Sequence, residues 1–311
     1  MDELPGGIRR LTFPLPLGIR HVHCYLLPGD DGWTLVDTGL GLPDAAARWE
    51  PVLRELDAPI VRILVTHFHP DHAGGGEDAQ ALTEARALQG EHDYEQCVRV
   101  WGSADWSERL ADYLRTHGLP ETVARELRHE SRTFASFIRF ARDPDPLHEG
   151  NDVDGWRVLE LPGHADGHLC LLRDGVLVAG DHLLGVITPT VGLYPDSRPD
   201  PLADYQASLQ RTIELAPTLA LPGHGDPVAD PVTRARELLE HHVRRLDETA
   251  AALSAGPRCA YEVSLRLFGS SLDASGRRFA LAETLAHLER LVREGRAGRS
   301  GNGGNVSYTA A

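Results

Sequence analysis

The clearest absence from this sequence of 311 residues is lysine, because all 31 of its basic residues are arginine. A chain without lysine cannot form a Schiff base through that side chain, and it lacks the lysine of a phosphate-binding P-loop. Long apolar runs are missing as well, since none approaches the roughly 18 residues that a membrane span needs. We therefore expect no transmembrane segment, no membrane partner and neither kind of lysine chemistry.

Cysteine is scarce, and its four copies (Cys24, Cys97, Cys170 and Cys259) are widely spaced with no C-x-x-C pair. This spacing favours reduced thiols over a disulfide framework or a thiolate zinc site. The N-terminal sequence MDELPGGIRRLTFPLP also lacks the basic stretch, apolar core and cleavage site of a secretory signal. We therefore expect a cytoplasmic protein.

Positive charge is in short supply, with 46 acidic residues against 31 arginines and a net charge of -15. Residues 231–311 differ, because they carry 12 arginines against 9 acidic residues, or +3, which leaves -18 on the remainder. The overall charge disfavours nucleic acid as a partner and favours a small-molecule substrate, but the C-terminal segment keeps nucleic acid open.

Apolar patterning predicts an α/β (α+β) fold in which strands and helices alternate in layers. Residues 8–40 predict a hairpin, followed by a helix over 42–56 and a strand over 61–66. After the run Gly74-Gly75-Gly76 a helix is predicted over 78–89. A second group of strands is predicted at 156–162, 169–173, 176–181 and 219–225.

The segment 91–150 interrupts this pattern and holds seven of the 19 aromatic residues. Phe134, Phe137, Ile138 and Ala141 recur at helical spacing, so the segment is interpreted as a helical insertion.

The C-terminal part of the sequence predicts a separate unit. Asp-Pro pairs at 226–227 and 230–231 mark a boundary, which gives a catalytic domain over 1–228 and a second domain over 229–311. Three predicted helices and a hairpin at SGNGGNVSY make the second domain winged-helix-like.

The densest chemical signal is His67-x-His69-x-Asp71-His72, which begins where the predicted strand 61–66 ends. Imidazole and carboxylate are suitable zinc ligands, and a loop lets closely spaced ligands converge. Four ligand-type side chains within six positions indicate a metal site.

THFHPDH is followed in order by LPGHADGH, AGDH and LPGHG, and together these motifs resemble the metallo-β-lactamase superfamily over roughly residues 8–228. The resemblance implies an αββα sandwich with metal ions at one edge of its two sheets. The runs HLLGVITPTVGLYP, LEHHVRRL and ETLAHLERLVREGR are similar to bacterial hydrolases with a winged-helix-like tail, related to the β-lactamase-like protein 2 group.

The resemblance also implies a set of ligands for two zinc ions, with Mn²⁺ or Fe²⁺ as alternatives. The first ion would take His67, His69 and His164, the second would take Asp71, His72 and His224, and Asp181 would bridge them. Asp37 and His168 would support these ligands. Two cations about 3.5 to 4 Å apart can share a hydroxide that attacks the substrate. Asp71 and Asp181 are the candidate catalytic residues, because either can also relay a proton.

Departures from particular subfamilies narrow the function. The bridging Asp181 is absent from true β-lactamases, and flavodiiron proteins replace one histidine of the cluster with glutamate, whereas His69 is intact here. Homoserine-lactone hydrolases carry a tyrosine where this sequence has Leu184.

The sequence therefore predicts a hydrolase of a small ester, thioester or related acyl substrate. A metal-dependent endoribonuclease is the main alternative, on account of the C-terminal charge. A persulfide dioxygenase with a single iron and a non-enzymatic, metal-sensing winged-helix regulator are further hypotheses. The sequence predicts no oligomeric state.

Overall fold

A computed structural model describes residues 1–16, 18–301 and 305–311 of the chain. Two β-sheets face each other, and helices cover their outer faces. The αββα sandwich that the resemblance implied is therefore confirmed. No helix within those ranges is long and apolar enough to cross a membrane.

The first sheet is built mainly from the N-terminal half of the chain. Its strands, given in their spatial order, are β1 (Asp2–Leu4), β2 (Ile8–Pro14), β3 (His21–Pro28), β4 (Trp33–Val36), β5 (Ile60–Val65), β6 (Arg86–Gly90) and β7 (Asp145–Leu147). The pairs from β1 to β4 are antiparallel, as the predicted hairpin requires, and those from β4 to β7 are parallel.

The second sheet follows in the sequence. Its strands are β8 (Asp152–Val153), β9 (Trp156–Glu160), β10 (Leu169–Arg173), β11 (Val176–Gly180) and β12 (Leu219–Pro222). Their spatial order is β12-β11-β10-β9-β8, with antiparallel pairs except for the parallel pair β11 and β12.

The remaining elements are helices and a terminal pair of strands. They are α1 (Ala45–Glu55), α2 (Pro70–Ala73), α3 (Gly76–Thr83), α4 (Glu91–Val100), α5 (Trp106–Thr116), α6 (Glu121–Ala135), α7 (Pro201–Leu215), α8 (Pro231–Ala252), α9 (Ala260–Phe268), α10 (Ala274–Arg293), β13 (Ala297–Ser300) and β14 (Ser307–Ala310). A short 3-10 turn, Pro5–Gly7, links β1 to β2.

The core follows from the two-residue period of the strands, which sends alternate side chains to opposite faces. Leu64 of β5 and Val158 of β9 meet between the sheets. The neighbouring Ile63 packs outward against Trp49 of α1. Leu159 packs outward as well, in a continuous cluster that reaches α7 and the helices α8 to α10. The C-terminal helices therefore share a core with the second sheet.

Three segments depart from the sequence-based expectations. The predicted helix over 78–89 ends at Thr83, because Glu84 takes a left-handed conformation (φ 56°), and its last residues form β6. The segment 91–150 is helical over α4 to α6, but Asp145–Leu147 pairs with β6 as a strand of the first sheet.

The predicted helical spacing after Phe134 is also wrong, since α6 ends at Ala135. The backbone there bonds to neighbouring loops instead: the amide of Gly41 donates to the carbonyl of Phe137, and that of Arg139 donates to Gly74.

In the C-terminal part, three helices precede the antiparallel pair β13 and β14, in the predicted order. The tip of the predicted hairpin at 302–304 lies outside the described residues.

Candidate metal centre

The seven side chains predicted as ligands converge at one edge of the sandwich, where strands of both sheets end. The loops after β5, β9, β11 and β12 carry His67 and His69, His164, Asp181 and His224, while Asp71 and His72 lie in the single turn of α2. Pro70 at the first position of α2 favours this immediate start of the helix.

His67, His69 and His164 form one group. Their ligand atoms lie within 4.8 Å of one another, and His67 Nε2 is 3.0 Å from His69 Nδ1. The rings of His69 and His164 meet edge-on with their centroids 4.5 Å apart. Three imidazoles that turn ring nitrogens toward one point are typical of a zinc site.

Asp71, His72 and His224 form a second group with the same 4.8 Å spacing, in which His224 Nε2 is 3.2 Å from Asp71 Oδ2. Asp181 lies between the two groups. Its Oδ2 is 3.3 Å from His224 Nε2 and 3.6 Å from His164 Nε2, and its Oδ1 is 3.4 Å from His72 Nε2. This position lets one carboxylate reach both groups.

Several ligand atoms are buried and have no hydrogen-bond partner in the part of the chain that the structure describes. They are His72 Nε2, His164 Nε2, His224 Nε2 and Asp181 Oδ1. Leaving a buried polar atom unsatisfied costs about 1–3 kcal/mol. Imidazole nitrogens and carboxylate oxygens are the donors that zinc prefers, so the residues present fit metal cations.

Gly223 keeps this space open. A Cβ atom at that position would lie 2.5 Å from Asp181 Oδ1 and 2.5 Å from His72 Cε1. Only glycine therefore allows the loop after β12 to pass this close to both side chains.

Asp37 holds two of the histidines in place from the end of β4. Its Oδ2 accepts from His72 Nδ1 at 2.8 Å and from the Thr66 hydroxyl at 2.9 Å. That hydroxyl is in turn 3.0 Å from His67 Nδ1. With Nδ1 engaged in both rings, Nε2 faces the cluster, as expected of the partners behind metal ligands.

Backbone carbonyls orient two further ligands in the same way. His164 Nδ1 donates to the carbonyl of Thr190 at 2.8 Å, and His224 Nδ1 donates to that of His21 at 2.6 Å.

His168, the other residue expected to support the ligands, lies beside Asp181. Its Nε2 accepts the backbone amide of Asp181 at 3.2 Å, and its ring stacks on that of His67 with the centroids 4.8 Å apart. Asp37 and His168 are thus both in contact with predicted ligands.

Other residues that hold the site were missed from the sequence. Buried Asp93 of α4 accepts the amide of Phe68 at 2.9 Å, and Trp101 Nε1 donates to the carbonyl of Phe68 at 2.8 Å. His23 of β3 binds the loop after β12 through its amide, 2.7 Å from the carbonyl of Gly223. The alternation His21-x-His23 in β3 was the sequence signal that could have indicated a role for these two histidines near the site.

The C-terminal helices hold the loop that runs from Asp181 to α7. Arg234 of α8 donates to the carbonyls of Leu184 at 2.8 Å and Ile187 at 3.1 Å. On the same loop, the Thr190 carbonyl binds His164, and the amide of Leu193 donates to Ala282 of α10 at 3.0 Å. The position of His164 therefore depends on contacts outside the two sheets.

Electrostatics in the cluster divide the histidines into two kinds. Burial and the neighbouring imidazoles lower the pKa of His67 and of His69 well below the usual value. Burial also disfavours charge on His72 and His224, but nearby carboxylates, Asp181 foremost, raise the pKa of His72 well above its usual range and that of His224 to about 10. Without metal, His224 therefore carries a proton at neutral pH, and the same carboxylates favour the protonated form of His72.

Comparison with known proteins identifies relatives over most of the chain. The family described as "Metallo-beta-lactamase superfamily" matches residues 17–224, and "Metallo-beta-lactamase-like, C-terminal domain" matches residues 246–311. The "Probable metallo-hydrolase YqjP" of Bacillus subtilis is 29% identical over 91% of this chain and 92% of that protein. The "Beta-lactamase-like protein 2 homolog" of Drosophila melanogaster is 26% identical over 75% of this chain and 68% of its own length.

Solved structures of the same family are also similar to this chain. The crystal structure of the metallo-beta-lactamase family protein TTHA1429 from Thermus thermophilus matches with a TM-score of 0.84 and 38% identity, over 99% of each chain. A more distant relative, the "Atrochrysone carboxyl ACP thioesterase" of Passalora fulva, is 25% identical over 79% of this chain and 63% of that protein.

Substitution of Gly223 tests the packing of the cluster. In Gly223→Ala we expect the new methyl group to displace Asp181 and His72, so that zinc retained after dialysis, measured by mass spectrometry, falls by at least about half. Gly185→Ala is the matched control, because its Cβ would meet only ordinary contacts at 3.5 Å or more. Equal zinc content in both variants would contradict the geometry.

Zinc binding should release protons. The pKa of His224 is raised to about 10 and nearby carboxylates raise that of His72 well above its usual value, so protons compete with the metal and zinc affinity should rise between pH 6 and about 8. Calorimetry at pH 7 in two buffers of different ionisation enthalpy should show release of about one or two protons. A binding heat independent of the buffer would refute the assignment.

Proposed function

The chain belongs to the metallo-β-lactamase superfamily, and from that premise we propose that it hydrolyses a small ester, thioester or related acyl substrate with two zinc ions. The observation that carries the proposal is the convergence of seven imidazole and carboxylate side chains, several of whose buried ligand atoms lack partners within the described residues.

In this proposal His67, His69 and His164 would hold one zinc ion, and Asp71, His72 and His224 would hold the other. Asp181 would serve as a ligand shared by both groups, which is supported by its approach within 3.6 Å of histidines from each. The same donor set is compatible with Mn²⁺ or Fe²⁺, because imidazole and carboxylate also suit those ions.

When bound, two such cations supply a water molecule that is nucleophilic at neutral pH and polarise the bond under attack. The residues of the chain supply the rest. Asp37 and Thr66 fix the ring orientations of His72 and His67, and His168 holds the backbone of Asp181. Asp71, whose side chain is 16% exposed against 9% for Asp181, is the more accessible carboxylate for moving a proton to or from substrate.

Three observations, on a loop, a relative and the net charge, favour an acyl substrate. The loop that orients His164 carries two exposed apolar side chains, Val186 (91% exposed) and Ile187 (46% exposed), which offer contact to an apolar acyl group. A distant relative is named as a thioesterase. Residues 1–230 carry a net charge of -18, which is (-15) - (+3), and this repels a polyanionic substrate.

The test uses zinc-loaded protein against acyl thioesters, aryl esters, lactones, a phosphodiester and single-stranded RNA. We expect turnover of the thioesters or esters, with kcat/KM reduced by about 10³-fold or more in Asp181→Asn, since that change removes charge at the centre of the site. Asp174→Asn, an exposed aspartate at the turn between β10 and β11, is the matched control and should retain full activity.

Other outcomes decide between the alternatives. Faster cleavage of RNA than of any acyl compound, lost in Asp181→Asn, would replace the proposal with an endoribonuclease. Oxygen-dependent oxidation of a persulfide with one bound iron would indicate a dioxygenase. Metal-loaded protein that turns over no substrate class but retards DNA would indicate a regulator.

A further inference from the structure

A groove of about 600 Å³ lies between α8 and α9, outside the metal centre. Its polar lining consists of Arg244, Arg245 and His241 from α8 and Arg266 from α9, with Glu248 as the one carboxylate among the lining residues. Its volume falls within the range of about 300–1,000 Å³ that is usual for small-molecule sites.

Two buried nitrogen atoms in the wall of this groove lack hydrogen-bond partners among the residues described. They are Arg245 Nε and His241 Nε2. Arg245 donates through its Nη1 to Glu248 at 3.2 Å and rests on the ring of Phe268. Its Nε lies 3.8 Å from Glu283 Oε1, beyond hydrogen-bond distance. Both atoms are buried from solvent, so a ligand in the groove would be held by the guanidinium groups at its surface and not by these two atoms.

The two other arginines of the lining, Arg244 and Arg266, have few acidic partners. Arg244 comes only within 3.8 Å of Glu240, and Arg266 is exposed and makes no ion pair with any described residue. Three guanidinium groups against Glu248 give the lining a net charge of +2, which is 3 - 1. Glu240 and Glu283 stand outside the lining but lie 3.8 Å from Arg244 and Arg245 and offset part of this charge, so Arg266 is the lining arginine with no acidic partner among the described residues.

We propose that the groove between α8 and α9 binds a small phosphate-bearing molecule through Arg244, Arg245 and Arg266. The arginines of the lining attract a phosphate monoester dianion, and its three terminal oxygens can accept from several guanidinium donors at once. The burial of His241, together with Arg245 and Arg244, lowers the pKa of its ring, so the neutral imidazole adds a hydrogen bond without further charge.

The groove favours a small ligand over nucleic acid. Nucleic-acid affinity comes from many phosphate contacts along a track, whereas the basic lining here is confined to one groove between two helices. None of the seven predicted metal ligands lines it, so the site is independent of the hydrolytic function proposed above.

The test titrates inorganic phosphate into the zinc-loaded full-length protein and follows ³¹P line broadening. We expect the double variant Arg244→Gln/Arg266→Gln to weaken binding by about tenfold or more, since it removes two of the three guanidinium groups. The matched control Arg54→Gln/Arg125→Gln removes the same charge from exposed positions on α1 and α6 and should bind as the unmodified protein does. Thermal unfolding of all three proteins checks that the variants are folded.

Two results would overturn the proposal. Equal phosphate affinity in the three proteins would place the anion elsewhere, including at the metal centre. Binding of a six-nucleotide single-stranded RNA more than about 100-fold tighter than phosphate, lost in Arg244→Gln/Arg266→Gln, would make the occupant a nucleic acid.

Discussion

The structure depends on the need to satisfy a cluster of buried ligand atoms, which without metal can pair with one another only when histidines take up protons. Asp181 and the histidines around it turn carboxylate oxygens and ring nitrogens toward a common centre, at a depth where water cannot solvate them fully. Unsatisfied polar atoms at this depth are unfavourable, and cations remove that cost. The loops that carry these atoms end strands from two different sheets, so the cluster also ties the halves of the sandwich together.

Hydrogen bonds behind the ligands make this arrangement specific. Asp37 is bonded to His72 and to Thr66, which fixes rings on both α2 and the preceding loop. Residues outside the two sheets also position the ligands. Arg234 and α10 hold the loop whose carbonyl orients His164, so the C-terminal helices contribute to the geometry of the site as well as to the core they share with the second sheet.

Much of the site was predictable because its signals are local. His67, His69, Asp71 and His72 lie within six positions after an apolar strand, and the later motifs each follow a strand, where loops converge at a sheet edge. The residues that orient the ligands were harder to predict. The bond from His224 to the carbonyl of His21 joins residues 203 positions apart, and the role of Asp93 appears only when α4 packs against the loop of Phe68.

In the fold, too, features with a local sequence signal were predicted and features set by distant contacts were not. Strong apolar periodicity correctly predicted α1, α8 and most strands. Strand β6 was assigned to a helix because its short sequence, RALQG, has helix-forming residues and takes its strand conformation from pairing with β5. Helix α6 ends at Ala135, and the backbone that follows it bonds to Gly41 and Gly74 instead of continuing the helix. Contacts with residues distant in the sequence cannot be predicted from a short local segment.

The central claim is that these side chains hold two metal ions bridged by Asp181. Anomalous diffraction at the zinc absorption edge, from crystals of zinc-loaded protein, tests it most directly. The account predicts two peaks about 3.5–4 Å apart, one beside His67, His69 and His164 and one beside Asp71, His72 and His224, with Asp181 contacting both. A single peak at full occupancy, or peaks away from these residues, would contradict it.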